Sequence, residues 1–177
     1  MTAQQDWSDT VARQLVTTAL DEGAALLRWL DVGFGSGAAI DAALEAGVER
    51  IDGVDPDPEK VRAAGERFDR TVVGLRIGAV ADLGGYVGPY DVVLSSLAVD
   101  VTAEPSALQS VHDVISYGSR AWVAVRERTD KEQAGPGVAS RDELAEAAAA
   151  AGWTGEVNEL DLPDDVPFTV LVASTEP

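Results

Sequence analysis

The chain has 177 residues, 46% of them apolar, a mean hydropathy of zero and a net charge of −18. This is the composition of one globular domain. No apolar run reaches the ~18 residues of a membrane span, and Met1 to Asp6 lacks the basic and apolar regions of a secretory signal. The absence of cysteine excludes disulfides, a thiol nucleophile and thiolate metal ligation. A single histidine, His112, excludes a histidine-rich metal site, so no metal is expected and a cytoplasmic location follows by default.

In chain order, Asp6 to about Ala25 places Trp7, Val11, Leu15 and Ala19 at helical spacing and predicts a cover helix. The apolar run Leu26 to Trp29 predicts a strand, and Leu30-Asp31-Val32-Gly33-Phe34-Gly35-Ser36-Gly37 predicts a glycine turn after it. A helix follows from Ala38 to Gly47, with Ile40 and Leu44 inward. Glycines admit a ligand close to the backbone, and the helix N-terminus offers unpaired N–H groups and a partial positive charge. Arg50 to Asp55 reads as a strand ending in an acid, 22 residues after Gly33. Asp57 then serves as N-cap and Pro58 as first-turn residue of a helix burying Val61, Ala64 and Phe68.

A third strand leads through Leu75 to Asp82, and Gly84 to Pro89 reads as a surface turn. Tyr90 to Leu97 is a strand. A helix from about Pro105 presents Leu108, Val111 and Ile115 on one face. Ala121 to Val125 is a strand, and Arg126 to Gly137 reads as a loop. Ser140 to Glu143 is a capping box opening a helix that runs to Gly152. Glu156 to Leu160 and Phe168 to Ala173 are two strands joined by Asp161-Leu162-Pro163-Asp164-Asp165. With no helix between them they form a hairpin, which makes the last strand antiparallel. The expected fold is α/β: a doubly wound, Rossmann-like, seven-stranded sheet, mostly parallel, in a single domain over 1–177.

Gly33, Gly35 and Ala38 satisfy the dinucleotide pattern G-x-G-x-x-G/A, which keeps an NAD(P)-binding Rossmann reading open. Asp31, two residues before Gly33, lies outside that fingerprint. With it, the pattern D-V-G-x-G-x-G resembles the first motif of class I S-adenosylmethionine-dependent methyltransferases. Gly53-Val54-Asp55-Pro56 resembles their second motif, and Tyr90 to Leu97 their central strand, beyond which the active site lies. The resemblance runs from about Leu26 to Val125. It implies S-adenosylmethionine as cofactor. Asp31 and the turn Gly33, Phe34, Gly35 and Gly37 would hold its methionine end, and Asp55 with Pro56 its ribose. The family's adenine-binding acid is replaced by Ala79, so Asp82 or the backbone of Ala79 and Val80 would take that role. Ser95 and Ser96 would line the pocket. Tyr117-Gly118-Ser119 stands in place of the family's Pro-Gly-Gly. No Asn-Pro-Pro-Tyr follows the central strand, which disfavours nucleobase or amide amino methylation.

A general base is needed only if the acceptor must lose a proton. Asp100, Glu127 and Asp130 are the candidates near the expected site, each also readable as a solvated loop acid. His112 sits beside an apolar stripe, where a lone histidine is more often a packing residue than a base. After Arg141 come nine acids and no base: Asp142, Glu143, Glu146, Glu156, Glu159, Asp161, Asp164, Asp165 and Glu176. That field repels phosphate backbones, so the expected acceptor is a small neutral or cationic molecule, with neither nucleic acid nor membrane as partner. The short covering segments leave room for a homo-oligomer or a protein partner to complete the pocket. A methyltransferase-like subunit that binds a partner without catalysis is the remaining alternative.

Overall fold

A computed structural model describes residues 3–85, 89–101, 103–104, 106–128, 135–160, 162 and 168–174; Asp130, Asp161 and Pro163 to Asp165 fall outside them. Its elements in order are α1 (Ala3–Asp21), β1 (Arg28–Val32), α2 (Ala38–Glu45), β2 (Arg50–Asp55), α3 (Pro58–Arg67), β3 (Val73–Ile77) and a 3₁₀ turn (Val80–Gly85). They continue with β4 (Tyr90–Ser96), α4 (Ser106–His112), β5 (Ile115–Glu127), β6 (Val138–Ala139), α5 (Arg141–Ala150), β7 (Thr154–Glu159) and β8 (Phe168–Ser174).

The strands form one sheet in the order β3-β2-β1-β4-β5-β8-β7, with the two-residue β6 paired to the end of β5. All pairings are parallel except those of β8, which runs antiparallel to both β5 and β7. The expected hairpin and antiparallel last strand are present. The seven expected strands make up that sheet order, and the two-residue β6, just after the expected loop Arg126 to Gly137, is added beside them. Tyr117-Gly118-Ser119, which stand in place of the family's Pro-Gly-Gly turn, lie inside β5: the register against β4 jumps from Tyr90 opposite Ile115 to Val92 opposite Arg120, so extra residues are absorbed as an irregularity within the strand. Helix α4 correspondingly stops at His112, and Ile115 opens a strand. The third strand ends at Ile77, with Val80 and Asp82 carried on the 3₁₀ turn.

Two apolar layers sandwich the sheet. Val11, Leu15 and Ala19 of α1 and Ile40 and Ala43 of α2 cover one face over Trp29, Leu94 and Trp122. Leu108 and Val111 of α4 and Leu144 and Ala148 of α5 cover the other, over Leu30, Val93 and Val123. The caps match the sequence: Asp57 accepts from the Glu59 N–H at 2.9 Å, and Ser140 with Glu143 forms a reciprocal capping box.

Tyr90 and Asp91 lie at the amino ends of the strands. The Tyr90 hydroxyl donates to Asp52 Oδ2 at 2.9 Å, and Arg28 donates to the same oxygen at 3.0 Å. The Arg28 backbone N–H donates to Asp91 Oδ2 at 3.0 Å. Burial, then the Asp52 carboxylate, push the Tyr90 phenol up to about 12. This pair therefore ties β4 to β1 and β2.

Candidate active site

The strand order reverses between β1 and β4, since β2 follows β1 on one side and β4 lies on the other. A crevice opens at the carboxyl ends of strands at such a switch point, and ligands bind there. The glycine turn is built at that place. Gly33 (φ 73°) donates its N–H to the Val54 carbonyl at 2.7 Å, and a Cβ on it would collide with the Cβ of Ala98 beyond β4. Only glycine lets the two strand exits approach so closely. Gly35 (φ 55°) donates its N–H to Asp55 Oδ2 at 2.9 Å. Gly37 (φ 82°) is the N-cap of α2. The Ser36 hydroxyl donates to Asp9 and so fastens α1 to the turn. The Phe34 ring is packed inward against Gly53, so Phe34 contributes its backbone to the turn.

Two carboxylates stand here in different states. Asp55 is buried but satisfied: beside Gly35, the Asp57 N–H donates to its Oδ1 at 2.9 Å, and Lys60 Nζ lies 4.0 Å from Oδ2. Asp31 is 1% exposed, and its Oδ2 has no hydrogen-bond partner. Burial first, and the Asp55 charge second, push its carboxyl up to about 7. A buried carboxylate oxygen without a partner costs free energy, and a cationic ligand group would relieve it. The hydroxyls of Ser95 and Ser96 at the end of β4 are also buried and without partners. Ser96 shares Asp31's face of the sheet, because Asp31 pairs with Leu94 and side chains alternate.

Other expected residues fall around the same edge. Pro56 is exposed at the exit of β2. The Gly78 N–H donates to the Asp55 carbonyl at 3.1 Å, which brings the 3₁₀ turn bearing Val80 and Asp82 alongside; Val80 is buried and Asp82 exposed. Asp100 follows β4, its Oδ1 accepting the Ala103 N–H at 2.9 Å. Glu127 ends β5 opposite Ala139. His112 is not brought here. It ends α4 near the amino end of β4, its ring perpendicular to Trp153 at 5.1 Å.

One feature of this edge had no sequence signal. Leu97 adopts φ 60°, the one positive φ of a non-glycine residue among those described. Strand alternation would send it toward α4 with Val93; instead it packs in the α1 and α2 layer. Its N–H donates to the Ala124 carbonyl at 2.9 Å, and Gly137 (φ 68°) fits so tightly over it that an added Cβ would lie 2.6 Å from Leu97 Cα. Held φ outliers of this kind concentrate at functional sites.

Residues 30–118 match the methyltransferase domain family. The chain belongs to that family. A ribosomal protein L11 methyltransferase of Thiobacillus denitrificans is 29% identical over 113 residues, 51% of this chain but only 38% of that protein's length. Among solved structures, the Burkholderia thailandensis 1,6-didemethyltoxoflavin-N1-methyltransferase, with its substrate and S-adenosylhomocysteine bound, superposes with a TM-score of 0.76 at 21% identity, covering 98% of this chain and 82% of that one. A methyltransferase of Haloferax volcanii, in complex with the methyltransferase activator Trm112, gives 0.79 at 20% identity, covering 99% and 94%. The methyltransferase domain is thus of the S-adenosylmethionine-dependent class, which sets aside the dinucleotide reading. Its residues fit that cofactor: an unpartnered buried carboxylate suits an α-ammonium, and the Gly33 cradle admits a ligand to the backbone. No helix among the described residues is long and apolar enough to cross a membrane.

Proposed function

We propose that this methyltransferase domain passes the methyl group of S-adenosylmethionine to a small neutral or cationic molecule, at oxygen, nitrogen or carbon. The cofactor supplies an activated methyl on a sulfonium, so positioning can supply much of the rate. Asp31 pairs with its ammonium group. The Gly33–Gly37 turn cradles its methionine end and Asp55 accepts from its ribose, while Ser95 lines the pocket. Val80 and Asp82 flank the adenine. Where an acceptor must lose a proton, Asp100 and Glu127 are the acids at this edge that can take it.

The observation that carries the choice of acceptor is the charge of the carboxyl-end edge. Asp31, Asp55, Asp100 and Glu127 gather there in a chain of net −18. Such a field opposes a polyphosphate and favours a neutral or cationic molecule. A second reading, in which a partner protein completes the pocket, is supported by the Haloferax neighbour solved with an activator.

The test incubates the chain with S-adenosylmethionine labelled in its methyl group and a panel of neutral and cationic metabolites, RNA and protein. Label should enter the low-mass fraction. Faster labelling of RNA or protein would overturn the small-molecule assignment. Turnover only after a binding protein is added would favour the second reading.

A further inference from the structure

Asp31 lies buried beside a second carboxylate, and no cation answers it. Its Oδ2 has no hydrogen-bond partner, and it forms no ion pair among the described residues. The charged groups on the elements packed around it are engaged elsewhere. From β2 comes Asp55, whose nearest cation, Lys60 of α3, stands 4.0 Å from the Asp55 Oδ2. From α1 come Asp9, which accepts from the Ser36 hydroxyl, and Arg13, which is paired with Glu45 and Asp41 of α2. Asp41 is also held by Arg67. On this face β4 presents the uncharged Ser96.

Such surroundings disfavour the charged form of a carboxyl twice over. Burial strips its hydration, and the Asp55 charge repels a second one. Burial first, and Asp55 next, push the Asp31 carboxyl up to about 7. The Asp55 oxygens accept from the Gly35 and Asp57 N–H groups, so backbone donors answer one acid and nothing answers the other.

We propose that cofactor binding at this site is proton-linked: Asp31 keeps its proton in the free protein and releases it to solvent when the cofactor's α-ammonium group comes against it. The inference rests on the reading of this site as one for S-adenosylmethionine. The ammonium supplies the counter-charge that the protein does not, so the bound state favours the carboxylate and the free state the acid. The loaded protein then holds one proton fewer, and affinity rises with pH until Asp31 ionises unaided. Methyl donor and demethylated product carry the same ammonium, so both are held weakly in acid and firmly near neutrality. Histidine is the residue type that ordinarily titrates between about pH 5 and 8. The chain's one histidine, His112, ends α4 near the amino end of β4, away from this site.

The test is calorimetric titration of the full chain with S-adenosylhomocysteine from pH 5.5 to 7.5, repeated at pH 6 in two buffers of unlike ionisation enthalpy. We expect affinity about twentyfold weaker at pH 5.5 than at pH 7.5, and close to one proton released per cofactor bound at pH 6. In Asp31→Asn the affinity should be lower throughout, flat with pH and without proton release. 5′-Methylthioadenosine, which has the nucleoside but no ammonium, should bind the unaltered chain with no pH dependence. Three outcomes overturn the inference and leave the cofactor site standing: affinity flat with pH, proton uptake in place of release, or the same pH dependence in Asp31→Asn or with 5′-methylthioadenosine. No binding of S-adenosylhomocysteine at any pH overturns both.

Discussion

Replacing Asp31 by asparagine should raise stability while lowering cofactor affinity. The carboxyl is pushed from 3.8 to about 7, chiefly by burial and next by Asp55. At about 1.4 kcal/mol per pKa unit, ionising it in the folded, ligand-free protein costs on the order of 4 kcal/mol. The folded state holds its proton more tightly than the unfolded chain does. The contribution is therefore fully favourable below about pH 4, declines as pH rises toward 7, and is flat above. Asparagine removes the ionisation but buries an amide that costs roughly 1–3 kcal/mol if left unpaired. The net gain at pH 7.5 is about 2 kcal/mol, or roughly 4–8 °C in Tm for a domain of this size. The gain should vanish near pH 4.5. The same variant loses a charge-assisted contact with the cofactor's ammonium, about 1.5–3 kcal/mol, so S-adenosylhomocysteine should bind roughly ten- to a hundredfold more weakly. Thermal melts of both proteins from pH 4.5 to 8, with calorimetric titrations at pH 7.5, decide it. A variant that is less stable at pH 7.5 with undiminished affinity would refute the assignment.

Asp55→Ala strips acceptors from the Gly35 and Asp57 N–H groups as well as the ribose contact, so it should cost about 2–4 kcal/mol of stability together with most cofactor affinity. Asp57→Ala, which removes only the α3 cap, should cost about 1 kcal/mol and leave affinity intact; melts and titrations of the pair separate the roles. Gly137→Ala should cost about 3 kcal/mol, because the residue is left-handed and its Cβ would press on Leu97, whereas Gly47→Ala meets no atom within 4 Å and should cost about 1 kcal/mol in denaturant unfolding. The isolated chain should show no salt-sensitive binding to RNA or DNA at ~50 mM salt, as measured by fluorescence anisotropy.

Much of this architecture is legible in the sequence because local and global signals agree. The β2 bounds, the Asp57 and Ser140 caps and the closing hairpin each follow from residue types with one low-energy use. The glycine turn is legible because three glycines in five residues, all with positive φ, have few other purposes. The failures have tertiary causes. Tyr117-Gly118-Ser119 stand where the resemblance places a turn, yet pairing with β4 and β8 draws the surrounding segment into one long β5. The short β6 has no pattern of its own and exists because β5 offers a free edge. His112 looks available for chemistry in sequence, and only the topology shows that the end of α4 faces away from the switch point. The reversal at Leu97 is invisible in a leucine, since it goes with the close approach of Gly137 to Leu97 and of Ala98 to Gly33.

The central claim is that the glycine turn, Asp31 and Asp55 form an S-adenosylmethionine site. Its most direct test is calorimetric titration of the chain with S-adenosylhomocysteine and, separately, with NAD. The account predicts one site of micromolar-range affinity for S-adenosylhomocysteine and no binding heat with NAD. Tighter binding of NAD, or no binding of either, would contradict it.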